Sequence, residues 1–178
     1  MKKSDHPAGF TIVELAVVLA IAAILAAVAI PAISTWWPSM QLSSAARDLF
    51  GTFQRAQVEA SKRGRPCTVV FNAVDAHGQQ FAYFLFQEVN NPGARGVFDP
   101  GDLFISGETN LPASVNFDFA TAQPLPLNAA GQFFITFLPS TLPVDAANLV
   151  RGGAVSLRNT RGQIQTVTIN NVGNLTIR

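Results

Sequence analysis

The sequence predicts an α+β protein in which one long N-terminal helix packs on an antiparallel β-sheet. Three patterns support this prediction. Residues 10–33 form an apolar run of helical length, residues 41–62 repeat apolar side chains every three or four positions, and the chain after Pro66 alternates apolar and polar residues. We therefore expect a helix with two chemically different halves, followed by one head domain.

The run from Phe10 to Ile33 is long enough to cross a bilayer. As an α-helix it would extend about 36 Å, against a hydrocarbon core of about 30 Å. Its only charged residue is Glu14. An ionised side chain in a membrane segment costs about 2.5–3.5 kcal/mol, so Glu14 needs a partner. No Lys, Arg or His lies between Phe10 and Ala46, so that partner must come from elsewhere.

Cleavage between Gly9 and Phe10 would supply a partner, because the amide nitrogen of Phe10 would become an ammonium group. Glu14 of one subunit could then meet the new amine of a neighbouring subunit. At about 4 Å and an effective dielectric constant of about 20, this attraction is about 4 kcal/mol. The pattern predicts a processed N-terminus that acts in assembly.

The N-terminal sequence MKKSDHPAG-FTIVELAVVLAIAAILAAVAIPAIS resembles the class III signal of type IV pilins and type II secretion pseudopilins. The resemblance implies cleavage and N-methylation by a prepilin peptidase. The features that carry it are a leader with Lys2 and Lys3, Gly9 before the cleavage point, Phe10 as the methylated residue, Glu14 as the fifth mature residue, and Pro31, which would loosen the assembly helix.

Two other interpretations of this segment remain open. Lys2 and Lys3, with the small residues Ala27-Val28-Ala29, also fit a secretory signal peptide that would leave Ile30 as the N-terminus. However, this apolar stretch exceeds the usual length of about 7–15 residues. The other alternative is a plain single-pass anchor, which leaves Glu14 unexplained.

These patterns divide the chain into a leader (1–9), a transmembrane assembly helix (10–33), an amphipathic helix half (34–65) and a β-rich head (66–178). The two lysines before the span predict a cytoplasmic N-terminus and place the head on the other side. For a pilin-like chain this means a single pass through the bacterial inner membrane, a periplasmic head, and a place in a pseudopilus after assembly.

The pattern after the span predicts the rest of the fold. One buried helix face is predicted from Leu42, Ala45, Ala46, Leu49, Phe50, Phe53, Ala56 and Ala60, and Gly64 and Pro66 end that helix. Strands are predicted at 67–72, 81–89, 114–119, 132–137, 154–159, 164–169 and 174–178, with a further short strand at the end of a loop over 96–106. Residues 120–130 predict a surface loop, and Pro139 and Pro143 bracket another.

The segment SAARDLFGTFQRAQVEASKRGRPCTVVF resembles the junction between helix and first strand in the GspH/FimT group of minor pseudopilins. The sequence VFDPGD before an apolar strand, and the closing strands after Gly162 and Gly173, also fit that group. The resemblance implies a structural subunit whose partners are the prepilin peptidase, other pilins or pseudopilins of the filament, and the inner-membrane assembly platform.

Catalytic and metal-binding patterns are weak, so the sequence predicts neither an enzyme nor a cofactor. His6 lies in the leader and His77 in a turn, and no CxxC or HExxH spacing is present. Cys67 opens an apolar strand and is expected to be a core residue. Asp99 and Asp102 lie in an acidic loop that is a candidate for Ca²⁺, with a solvated turn as the alternative.

A charge asymmetry at the C-terminus suggests an alternative function. Asp145 is the last acidic residue, and the arginines that follow it are Arg151, Arg158, Arg161 and Arg178. FimT-like members that serve DNA uptake concentrate arginines there, and such contacts to phosphates would be salt-sensitive.

Taken together, the N-terminal signal and the head predict a minor pseudopilin of a type II secretion or type IV pilus system. A FimT-like minor pilin that binds DNA for natural transformation is the alternative.

Overall fold

A computed structural model describes residues 10–75, 77–89, 95–120 and 124–178, apart from the side chains of 28, 30–32, 34 and 35. The chain forms two compact units, one ending at Trp37 and the other comprising Pro38–Arg178. Within the described residues, one helix, α1 (Ile12–Arg63), precedes nine strands: β1 (Cys67–Val74), β2 (Gln80–Gln87), β3 (Leu103–Glu108), β4 (Val115–Asp118), β5 (Phe134–Phe137), β6 (Pro143–Val144), β7 (Gly153–Asn159), β8 (Ile164–Ile169) and β9 (Leu175–Ile177).

In the second unit, α1 is amphipathic as the spacing predicts. Its buried stripe is made of small and apolar side chains: Leu42, Ala45, Ala46, Leu49, Phe53, Ala56 and Ala60. The helix ends where Gly64 adopts a left-handed conformation with φ of 64°, which a residue without a Cβ adopts at little cost.

The nine strands form two antiparallel sheets, where the sequence predicted one. The order is β3-β2-β1-β5-β6 in the first sheet and β4-β7-β8-β9 in the second. Side chains from both sheets join the helical stripe in one core, including Val69, Leu85, Val155 and Val167. Alternation along a strand identifies its buried face but not its neighbour, which is why the division into two sheets was not predicted.

Strand β6 begins at Pro143, which the sequence analysis expected to close a loop that starts at Pro139. It is two residues long, and Pro143 pairs with Phe137 of β5. Because β6 is an edge strand, the missing N–H of Pro143 breaks no sheet ladder. The proline therefore limits the strand without preventing it.

Polar contacts connect α1 to both ends of the second unit. Ser39 donates to the side-chain oxygen of Gln163 at 2.6 Å, in the turn between β7 and β8. Further along the helix, Nε2 of Gln57 donates to the carbonyl of Gly173 at 2.6 Å. We call the end of the head at Ser39 and Gln163 the proximal end, and the end at Gln57 and Gly173 the distal end.

Candidate assembly site

The first turn of α1 is capped by Thr11. The hydroxyl oxygen of Thr11 accepts a hydrogen bond from the backbone N–H of Glu14 at 3.2 Å. The carbonyl of Thr11 accepts the first helical hydrogen bond, from the N–H of Leu15 at 3.1 Å. Thr11 is therefore the N-cap, and Thr11-Ile12-Val13-Glu14 has the spacing of a capping box.

Glu14 consequently occupies the third position of the helix, and Phe10 immediately precedes the cap. Both residues are exposed. The N-terminus of a helix carries partial positive charge, so a carboxylate in the first turn is favourable there. The sequence predicted no local charged partner for Glu14, and the role of Thr11 was not predicted. The signal that identifies Thr11 is a threonine three residues before a glutamate at the start of an apolar run.

The large apolar side chains of the first unit are mostly solvent-exposed. Ile12 is 88% exposed, Ile24 is 67% exposed, and Trp36 and Trp37 are 63% and 54% exposed. In the part of the chain that the structure describes, no helix has a stretch both long and apolar enough to qualify as a membrane span. The span at residues 10–33 stays a prediction.

Two of the predicted assembly residues lie wholly or partly outside the described residues. Gly9, before the predicted cleavage point, is outside them, as is the leader. The side chain of Pro31 is also outside them, although α1 is helical across this position and across Pro38. The loosening attributed to Pro31 stays a prediction.

The four C-terminal arginines do not form one cluster. Arg151 precedes β7, whereas Arg158 lies near its other end, about 20 Å away for an extended strand. Arg161 follows in the turn toward β8, and Arg178 exchanges backbone hydrogen bonds with Thr166 on β8. Three of the arginines thus lie toward the proximal end of the second sheet, and Arg151 lies at its opposite end.

One of those three arginines is neutralised by an acidic neighbour. Arg158 donates to the carboxylate of Asp118 on β4 through Nε at 2.9 Å and through Nη2 at 2.5 Å. The two residues are diagonal neighbours across β4 and β7, because the register pairs Arg158 with Asn116 and Asp118 with Ser156. This ion pair lowers the positive charge that a phosphate backbone would meet.

The acidic loop is organised by its own backbone. Asp102 accepts hydrogen bonds from the N–H of Val89 at 2.8 Å and from the N–H of Asp99 at 3.0 Å, one on each carboxylate oxygen. Among the described residues, no group of three His, Cys, Asp or Glu side chains is placed to hold a metal ion. The structure thus gives the Asp102 carboxylate a role in fixing the turn.

Cys67 and His77 lie at opposite ends of the first hairpin. Cys67 opens β1 and is fully buried, and burial raises the pKa of its thiol to about 11. His77 lies in the turn after β1, about 25 Å along an extended strand of eight residues. This separation excludes a Cys67–His77 pair.

A buried charge network centred on Glu88, the residue that follows β2, was not predicted. Glu88 pairs with Arg95 at 3.1 Å, and their side chains are 7% and 9% exposed. The other carboxylate oxygen of Glu88 accepts from the Thr68 hydroxyl at 2.6 Å and from the N–H of Gly96 at 3.0 Å. Within the described part of the chain, the Nε of Arg95 is buried without a partner. The sequence signal was slight: one glutamate at the end of an apolar strand.

Comparison with protein families assigns both parts of the chain. The prokaryotic N-terminal methylation motif matches residues 6–30, which contain the predicted cleavage junction and Glu14. The type II transport protein GspH matches residues 45–173, nearly three quarters of the chain. No curated protein sequence matches the chain significantly.

Two solved structures are similar to this chain. The type IV minor pilin FimU of Pseudomonas aeruginosa matches with a TM-score of 0.52 at 14% identity, over 79% of this chain and 90% of FimU. The minor pseudopilin EpsH from the type 2 secretion system of Vibrio cholerae gives a TM-score of 0.49 at 15% identity, over 78% of this chain and 96% of EpsH. The likeness to FimU confirms the predicted α+β, pilin-like fold.

The two family matches cover the two functional parts of a pilin-like subunit, the methylated N-terminus and the head. The chain therefore belongs to the type II transport protein GspH family and is a minor pseudopilin-type subunit of a type II secretion or type IV pilus system.

Proposed function

We propose that a prepilin peptidase cleaves the chain between Gly9 and Phe10, that Phe10 is N-methylated, and that the mature chain assembles through its N-terminal helix. The observation that carries this proposal is the Thr11 cap, because it starts the helix directly after the proposed mature N-terminus. The new amine would stand at the start of the helix, with Glu14 in the first turn. Methylation would leave that amine positively charged.

The pairing that drives assembly is intermolecular. Glu14 of one subunit meets the amine of Phe10 of the next, which fixes the axial register of neighbouring helices. The methylation motif spans both residues and supports this role. An ion pair removed from bulk water is screened less by salt than a surface pair, so it can offset the cost of burying the carboxylate.

Before assembly, residues 10–33 anchor the chain as a single pass in the inner membrane. The N-terminus is cytoplasmic and the head is periplasmic, in agreement with the lysines of the leader. The exposed apolar side chains of the first unit would be covered first by lipid and then by neighbouring helices. Pro31 lets the helix loosen while the subunit is extracted from the membrane by the assembly platform.

The assembled filament acts mechanically. Its head contacts other pseudopilins or pilins, and the filament pushes secreted proteins outward or primes a pilus. DNA binding is less well supported, because the arginines divide between two ends of the second sheet and Arg158 is paired with Asp118.

Substitution of Glu14 by Gln tests this proposal. Gln keeps the shape of the capping-box residue but removes the charge. We expect Glu14→Gln to be processed normally, to stay in the membrane, and to fall at least about tenfold in the filament fraction recovered by shearing, since an attraction of several kcal/mol is lost.

The matched control is Glu108→Gln, which removes the same charge from an exposed carboxylate on β3 of the head. Glu108→Gln should enter filaments like the wild type. Normal recovery of Glu14→Gln in the filament fraction would contradict the assembly role of Glu14.

A further inference from the structure

A cleft of about 660 Å³ lies beside β4 in the head. It is lined by β4, by the start of β2, and by the connection over residues 109–113. Residues on both faces of β4 contribute to it, including Asn116 and Phe117, whereas no described residue of β7 does. Because β7 is the paired neighbour of β4, the cleft lies at the opposite edge of that strand, which pairs with no other strand among the described residues; we call it the free edge.

The backbone of β4 has hydrogen-bonding capacity on that side. The N–H of Thr160 donates to the carbonyl of Ser114 at 2.9 Å, which fixes the alternation along the β4–β7 pair. In an antiparallel pair, bonded and non-bonded positions alternate. Asn116 therefore directs its backbone groups to Arg158, and the N–H and C=O of Phe117 point away from β7, toward the cleft.

The side chains around this edge are uncharged. Four exposed carboxamides contribute to the lining, from Asn72, Gln80, Asn110 and Asn116. Phe117 and Phe119 form a half-buried aromatic wall in which the ring centroids are 5.2 Å apart. Among the described lining residues, none is ionisable. Asp118, the nearest acidic residue on β4, is paired with Arg158.

We propose that this cleft binds an extended, uncharged segment of another protein, which adds to β4 as a new edge strand. Main-chain hydrogen bonds would supply affinity, and the cleft would select the side chains. Carboxamides both donate and accept, so they match the peptide groups and small polar side chains of such a segment. A charged segment would lose hydration here without gaining a partner.

This inference goes beyond filament assembly, because it concerns the head and requires neither cleavage at Gly9 nor the pairing of Glu14. An open edge normally invites pairing between copies of a chain, and natural edges resist this with charges, bulges or short strands. The four-residue length of β4 fits that pattern. Because β4 is short, pairing between two copies of the chain is disfavoured, and the neutral cleft beside it can instead hold one extended segment from a different protein.

Titration with a defined peptide tests the proposal. The probe is a heptapeptide of alternating threonine and valine, acetylated and amidated, added to the ¹⁵N-labelled full chain in detergent micelles. We expect amide shifts that are confined to residues 109–119 and saturate. A probe methylated on alternate backbone nitrogens, so that it cannot pair with Phe117, should bind at least about tenfold more weakly because the strand hydrogen bonds are lost.

Two variants localise the site. Asn116→Lys places a charge on the free edge and should weaken binding at least about tenfold, as edge lysines block strand addition. Asn174→Lys makes the same change on an exposed asparagine next to β9 and should leave binding unchanged. Probes that carry Glu or Lys in place of threonine should bind at least about tenfold more weakly than the neutral probe.

The proposal is overturned by any of three results: no shifts at 109–119, equal binding of the methylated and unmethylated probes, or pairing of two copies of the chain through β4. The methylated probe keeps the test decisive if Asn116→Lys proves unstable. Normal filament recovery of Glu14→Gln, together with intact peptide binding, would contradict the proposed function and leave this inference standing.

Discussion

The hydroxyl oxygen of Thr11 lies 3.2 Å from the backbone nitrogen of Glu14 and caps the first turn of α1. The residue proposed to pair with a neighbouring subunit is thereby held in the turn that follows the proposed mature N-terminus. A helix that started several residues later would leave Glu14 in irregular backbone. The cap thus fixes the position of Glu14 relative to Phe10 in every copy of the chain.

Removal of the cap should loosen this turn. Thr11→Ala should lower the stability of the first turn by about 1 kcal/mol, which corresponds to amide hydrogen exchange about fivefold faster at Glu14, whereas Thr11→Ser should preserve the wild-type rate. Hydrogen exchange of the full chain in micelles measures both. Equal exchange rates in the Ala and Ser variants would show that the hydroxyl of Thr11 does not stabilise the turn.

Removing one partner of the buried Glu88–Arg95 pair should strongly lower the free energy of unfolding of the head. Glu88→Gln should lower the free energy of unfolding by about 3–5 kcal/mol, because it leaves the Arg95 guanidinium buried without its counter-charge. Replacing both residues, as Glu88→Gln with Arg95→Met, should cost less than the sum of the single changes.

Urea denaturation of the four chains gives this coupling directly. The same measurement on Glu108→Gln supplies an exposed carboxylate as control, with an expected change within about 0.5 kcal/mol. Strict additivity of the Glu88 and Arg95 changes would contradict a direct interaction between the two side chains.

The Cys67 thiol should react slowly with alkylating reagents while the head is folded. Burial raises the pKa of its thiol from an ordinary value near 9 to about 11, so the reactive thiolate is scarce at neutral pH. Iodoacetamide at pH 8 should label the native chain at least about a hundredfold more slowly than the urea-unfolded chain.

The raised pKa of Cys67 also gives a direction for the pH dependence of folding. The folded state holds the thiol proton more tightly than the unfolded state, so this contribution to stability is complete below about pH 9 and is lost as the pH rises toward 11. Cys67→Ala should remove that loss. Rapid labelling of the native chain at pH 8 would contradict burial of the thiol.

The placement of the arginines predicts weak DNA binding. A gel shift of the full chain with a short duplex in 50 mM salt should show no complex at micromolar protein, since specific charge contacts would have to come from separated and partly neutralised side chains. Asp118→Asn should expose the charge of Arg158 and increase any residual binding. A salt-sensitive complex that weakens in Arg151→Ala and Arg161→Ala would favour the DNA-binding alternative.

Local patterns in the sequence predicted the elements that depend on neighbouring residues. The spacing of Leu42, Leu49 and Phe53 predicted the buried helix face, and alternation predicted most strands. The pairing of strands is not local: β1 pairs with β5 more than sixty residues later, and no periodicity encodes that choice. The division into two sheets was therefore missed.

The candidate sites show the same contrast between local patterns, which the sequence reveals, and long-range contacts, which it does not. The N-terminal site was predicted because Gly9, Phe10 and Glu14 are close in sequence, whereas Thr11 was missed although the same stretch has the capping-box spacing. The partnership of Glu88 and Arg95 was not visible, because it depends on how the chain after β2 returns to Thr68. The free edge of β4 likewise follows from sheet order alone.

Assembly through a processed N-terminus is tested most directly by the intact mass and N-terminal sequence of the chain after co-expression with a prepilin peptidase. We expect a mature chain that starts at Phe10 and carries one additional methyl group on its amine. A chain that starts at Ile30 would show ordinary secretion, and an uncleaved chain would show a plain anchor. Either result would contradict assembly through a processed N-terminus.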